Sequence, residues 1–155
     1  MTCVSLDLIQ DIVGFTSMSK QVSPVAVMTF LNEIFSLFDR LTDKYGIQKI
    51  ETAGDCYIAA TGILKDDGEG FSVVNERSDA TRDAARILQF AKAMLIASKR
   101  VKMPHNGDPV SIRIGIHTGD CVTGLVGSKL PKFSVFGECW IMTSISAASH
   151  SPCAR

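Results

Sequence analysis

Two aspartates are the side chains of this sequence best suited to chemistry. Asp11 lies in Asp11-Ile-Val-Gly-Phe-Thr-Ser17, where an apolar stretch gives way to small and polar residues, and Asp55 lies in Lys49-Ile-Glu-Thr-Ala-Gly-Asp-Cys-Tyr57. Magnesium favours a couple of carboxylates completed by substrate phosphates and water over a full protein cage, so such a pair points to two-metal phosphoryl chemistry. Taken singly, each has a plainer job, Asp11 as a helix N-cap and Asp55 as a turn former. Phe15-Thr16-Ser17 follows Asp11 at a predicted helix start, where free backbone N–H groups and the helix dipole favour an anion such as a triphosphate. A simple capping turn predicts the same residues.

The elements that must position these groups follow from the apolar spacing. Val4 to Ile9 alternates loosely and predicts a strand that leads to Asp11. Val27, Phe30, Leu31, Ile34, Phe35, Phe38 and Leu41 recur at three- and four-residue steps, which predicts an amphipathic helix over Pro24–Tyr45, capped by Ser23 and stopped by Gly46. Ile47–Thr52 and Cys56–Thr61 are β-prone and joined by Ala53-Gly54-Asp55, a hairpin with an acidic tip beside the first strand. Residues 65–75 predict a surface loop, Ser78 or Asp79 caps an Ala-rich helix running to about Val101, and Val110–His117, Cys121–Val126 and Phe133–Phe136 predict three further strands. This order implies an α+β sandwich, a mainly antiparallel sheet with helices on one face and a ferredoxin-like core. Asp7 shares strand parity with Asp11, so it either faces the same site or marks a disturbed first strand.

With 155 residues, 46% of them apolar, the chain suits one domain able to bury a core. The 16 basic and 16 acidic residues cancel, which disfavours nucleic-acid binding and requires any anionic ligand to be handled locally. Five scattered cysteines without a CxxC pair suggest a reducing compartment and no zinc site. No apolar run reaches the roughly 18 residues of a membrane span, so no membrane insertion is expected in this segment. His117 predicts a structural strand-end histidine, His105 a loop residue, and Trp140 a core or interface residue.

Three blocks in this order, the two already quoted and Arg113-Ile-Gly-Ile-His-Thr-Gly119 running through Gly124-Leu-Val-Gly127 to Gly137, resemble the catalytic domain of class III nucleotidyl cyclases, the adenylyl and guanylyl cyclases. The resemblance implies one nucleotide cyclase catalytic domain over residues 1–155, cut short at its C-terminus. It implies that Asp11, Asp55 and the Ile12 carbonyl hold two Mg²⁺ or Mn²⁺ ions, that Phe15 and Thr16 bind substrate, and that the domain works as a homo- or heterodimer with another cyclase domain. Glu51 falls where guanylyl cyclases carry Glu and adenylyl cyclases carry Lys. A guanine edge presents N–H donors and wants such an acceptor. Ser134 falls at the partner position, typically Cys or Asp, and its hydroxyl can donate to guanine O6. The activity implied is conversion of GTP to 3′,5′-cyclic GMP and pyrophosphate in cyclic-nucleotide signalling, with adenylate cyclase and a non-catalytic dimerisation module as the alternatives. A cytoplasmic setting is implied, whether alone or as the cytosolic domain of a larger membrane-bound protein. The tail from 138 to 155 diverges. Ile141 and Ile145 stand where the family carries an Asn for the ribose and an Arg for the transition state, so the expectation for the chain by itself is negligible turnover.

Overall fold

A computed structural model describes residues 2–66, 68, 72–75, 79–129 and 132–137. In chain order the elements are β1 (Thr2–Ile12), α1 (Phe15–Ser19), α2 (Pro24–Tyr45), β2 (Gln48–Ala53), β3 (Cys56–Thr61), β4 (Leu64–Asp66), β5 (Ser72–Val74), α3 (Ala80–Ser98), β6 (Ile112–Val126) and β7 (Lys132–Gly137). Five strands form one sheet in the order β2-β3-β1-β6-β7, with every neighbouring pair antiparallel. The βαββαβ order with β1 in the middle is the expected ferredoxin-like core, extended by β7. Both long helices cover one face of the sheet, where Leu8, Ile12 and Tyr57 meet Phe30, Ile34 and Phe38 of α2 and Ile87, Phe90 and Met94 of α3. On the other face a smaller cluster joins Ala60, Ile63, Cys121 and Val135 to Ile50 and Phe133. Strands β2 and β7 occupy opposite edges of the sheet yet touch, so the sheet is curled around this second cluster.

Helix α2 begins where Ser23 Oγ accepts from the Ala26 N–H at 3.3 Å and ends at Gly46, whose φ of 60° is the left-handed conformation that glycine adopts without a Cβ clash. Helix α3 begins at Asp79, which accepts from the N–H groups of Thr81 and Arg82; Ser78 lies outside the described residues. Several features differ from the sequence reading. Strand β1 extends to Ile12 and so contains Asp11, because β6 pairs with it along its whole length. The two strands expected over Val110–His117 and Cys121–Val126 are one strand, since the polar Thr118-Gly-Asp120 stretch is held in register against Val4–Leu6; long-range pairing overrides the local break. Helix α3 stops at Ser98 rather than near Val101, whose carbonyl accepts from Val110 N–H at 3.0 Å and ties the chain into a turn. Within the expected loop, Leu64–Asp66 and Ser72–Val74 pair as a separate hairpin.

Candidate active site

Asp11 lies on the central strand directly opposite Arg113 of β6. The pairing is a two-point one: Arg113 Nε donates to Asp11 Oδ1 at 2.9 Å and Nη2 donates to Oδ2. The hydrogen bond to Asp11 raises the Arg113 pKa, so the guanidinium stays charged. The helix N-cap reading of Asp11 is set aside by the geometry, because the cap of α1 is Gly14, at φ 78°, with no side-chain cap bond. That left-handed glycine turns the chain from β1 into α1. Phe15 and Thr16 open this short helix, ahead of its first intrahelical bond from Met18 N to Gly14 O at 3.0 Å.

Asp55 sits at the β2–β3 turn, one strand over from Asp11, and its Oδ2 accepts from the Ile12 N–H at 3.4 Å. The hairpin thus folds its acidic tip back against the end of β1, and Ile12 stands between the two carboxylates. Burial pushes the Asp55 carboxyl above its usual range, and the nearby Asp11 charge adds to this; backbone N–H bonds, including that from Ile12, and Arg113 oppose it. Burial likewise pushes the thiol of neighbouring Cys56 up, with the Asp55 and Asp11 charges adding to it.

Two carboxylates and a strand-end backbone carbonyl suit a hard divalent cation that keeps waters and shares a ligand's phosphates. No group of three or more His, Cys, Asp or Glu side chains is gathered for a metal among the described residues. The negative edge draws the Arg113 guanidinium as the counter-ion of Asp11.

Glu51 lies on β2 opposite Ile58 of β3, just past a bulge that follows Lys49. Ser134 lies on β7 opposite Gly124, on the side of the strand away from Phe133 and Val135, which face the second cluster. Both are half-buried. They occupy the two strands that the curl brings into contact. Asp7 is fully buried and pairs in register with Ala60 and His117, so it shares the Asp11 face but lies four residues back along β1, away from the site's edge. His117 is in mid-strand, not at a strand end. Ile141, Ile145 and Trp140 lie outside the described residues.

Sequence reasoning gave no role to Arg113. Its signal was present, one long cation in an otherwise apolar alternation, but its partner is 102 residues away in sequence. A second feature it missed is Asp39 of α2, which meets both strands of the hairpin.

The family model for the adenylate and guanylate cyclase catalytic domain matches residues 2–150. Over 143 residues the chain is 34% identical to rat guanylate cyclase soluble subunit beta-2, covering 92% of this chain and 19% of that protein. It is 36% identical over 129 residues to mouse guanylate cyclase D, covering 83% of this chain and 10% of that protein. The chain therefore spans a fifth or less of the length of these curated relatives. Among solved structures, the guanylate cyclase domain of RhGC from Catenaria anguillulae in complex with GTP superposes with a TM-score of 0.79 at 25% identity, over 96% of this chain and 75% of that one. With the fold and these matches in agreement, the chain belongs to the adenylate and guanylate cyclase catalytic domain family.

Proposed function

We propose that the chain is the catalytic core of a guanylate cyclase, which converts GTP to 3′,5′-cyclic GMP and pyrophosphate. The observation that carries this reading is the meeting of Asp11 and Asp55 at one end of the sheet, with Glu51 on the same hairpin as Asp55. Asp11 and Asp55, with the Ile12 carbonyl, would hold two Mg²⁺ or Mn²⁺ ions. Bound there, the ions supply charge neutralisation on the phosphates and a lowered pKa for the ribose 3′-hydroxyl. The ribose hydroxyl would give its proton to solvent water, O3′ would attack the α-phosphorus in line, and the bond from that phosphorus to the bridging oxygen would break, releasing pyrophosphate. Phe15 and Thr16 present N–H groups to the phosphates at the start of α1. Glu51 accepts from guanine N1–H and N2–H₂, and the Ser134 hydroxyl donates to O6.

A dimer is part of the proposal. The β6–β7 hairpin leaves Val122, Leu125, Val126 and Phe136 exposed, an apolar surface suited to a second cyclase domain. Among the described residues no helix is long and apolar enough to cross a membrane.

The test mixes this chain with a complete cyclase domain whose own metal aspartates have been replaced. Cyclic GMP should form from the mixture and vanish when this chain carries Asp11→Asn or Asp55→Asn; cyclisation retained in either variant refutes the metal assignment. In competition binding of GTP and ATP to this chain by itself, Glu51→Lys with Ser134→Asp should move preference toward ATP, each base contact being worth about 1–3 kcal/mol.

A further inference from the structure

Tyr57 is fully buried, with its ring packed against Phe35 and Phe38 at centroid distances of 5.6 and 5.5 Å. A phenol in such surroundings needs a partner for its O–H, and it donates to Asp39 Oδ1 of α2 at 2.6 Å. The same carboxylate receives Lys49 of β2, whose Nζ donates to Oδ1 at 2.8 Å and to Oδ2 at 3.0 Å. Lys49 Nζ also lies 5.1 Å from the centre of the Tyr57 ring. Burial, then the Asp39 hydrogen bond and charge, hold the Tyr57 proton far above its ordinary range. One helix carboxylate therefore grips one residue from each strand of the β2–β3 hairpin.

The grip falls where the hairpin is least determined by its own ladder. Its register shifts between Lys49 and Glu51, and a bulge of that kind leaves the following residue's direction to other contacts. A cleft of about 450 Å³ opens between α2 and the hairpin's outer end, with Phe35, Asp39, Lys49, Thr52 and Gly54 in its lining. Lys49 stands two residues before Glu51, and Tyr57 stands two residues after Asp55.

We infer that Asp39 is a positioning residue that sets Glu51 through Lys49 and Asp55 through Tyr57, so that one α2 carboxylate supports both the base-reading and the metal-holding group that this chain's hairpin contributes. The inference rests on the cyclase reading of those two groups.

The experiment uses the whole chain and compares wild type with Asp39→Asn, Lys49→Met and Tyr57→Phe. Amide hydrogen exchange across the hairpin is measured first, because it reports the clamp whether or not nucleotide binds. Asp39→Asn should speed exchange at residues 50–56 by about tenfold while leaving α3 unchanged, a local opening and not a global one. Calorimetric Mn²⁺ titration and competition of GTP and ATP against a fluorescent GTP analogue follow. Losing a supporting partner of a metal ligand costs about 10–100-fold in affinity, so Tyr57→Phe should weaken Mn²⁺ at the lower end of that range with base preference kept. Lys49→Met should do the reverse, and a base contact worth about 1–3 kcal/mol allows roughly a tenfold loss of GTP preference with Mn²⁺ affinity kept. Asp39→Asn should lose both and Asp39→Glu should recover part of each. Unchanged hairpin exchange in Asp39→Asn overturns the clamp, as does a loss of thermal stability in all variants with no split between metal and base. A wild-type chain that prefers neither nucleotide overturns the guanine-reading assignment of Glu51 instead, and the exchange data still decide the clamp.

Discussion

Replacing Arg113 should make the nucleotide-free chain less stable and its metal site tighter, by amounts tied to one another. Arg113 is the internal counter-ion of Asp11, bound at two points. Removing one partner of a fully buried pair costs about 3–5 kcal/mol and an exposed pair contributes about 0–1 kcal/mol. The Arg113 and Asp11 side chains are 26% and 17% exposed, between those limits, so Arg113→Gln should cost about 2 kcal/mol without metal. For a chain of this size that corresponds to a melting temperature lower by about 4–8 °C. The carboxylate left behind no longer has a competing cation, and about 2 kcal/mol of relief converts to Mn²⁺ affinity higher by up to about 30-fold. Thermal melts with and without MnCl₂, and calorimetric titration in the absence of nucleotide, read both halves. Metal should restore most of the lost stability. Unchanged or weaker Mn²⁺ binding by Arg113→Gln would show that the guanidinium does not compete for Asp11, and the reasoning would fail.

Two further outcomes follow from the same geometry. The folded pKa of Asp55 lies above its unfolded value, so the native state binds more protons across that interval; Asp55 contributes stability at low pH that is lost as pH rises through its folded pKa. In chelator, the stability difference between Asp55→Asn and wild type should therefore shift in the variant's favour with rising pH, as read by urea denaturation; a difference flat with pH contradicts the assigned cause. Gly46→Ala should cost about 2–3 kcal/mol in the same assay, from the left-handed conformation and from the Arg86 guanidinium that the new Cβ displaces from the Gly46 carbonyl, whereas a loss below half a kcal/mol would count against that account.

The local parts of this structure were legible and the distant ones were not. Helix α2 announces both of its ends, Ser23 and Gly46, because caps depend on residues within a few positions. The hairpin with Asp55 at its tip was visible for the same reason. Strand β6 was misread as two pieces because Gly119 and Asp120 look like a break until β1 is set beside them. Asp39 follows a run of core residues on α2 and by spacing alone belongs to the solvent side; only the reach of Lys49 and Tyr57 from two strands gives it a role. Arg113 is the same case at greater range. The aspartates stand out by type and by the resemblance of the blocks around them, and their companions depend on tertiary register that no local pattern carries.

The central position of β1 also sets a schedule for biosynthesis. The residue that Asp11 pairs with is made 102 residues later. At about 5–20 residues per second, roughly 5–20 s pass between the synthesis of the two. Strand β3 arrives earlier and closes one edge of β1, while the other edge presents unpaired backbone groups until β6 is complete. An open edge next to buried side chains such as Leu8 is a template for pairing with another nascent chain. Ribosome pausing before residue 112 would lengthen that exposure, and a chaperone that shields extended segments would act on this domain through β1 and not through β7.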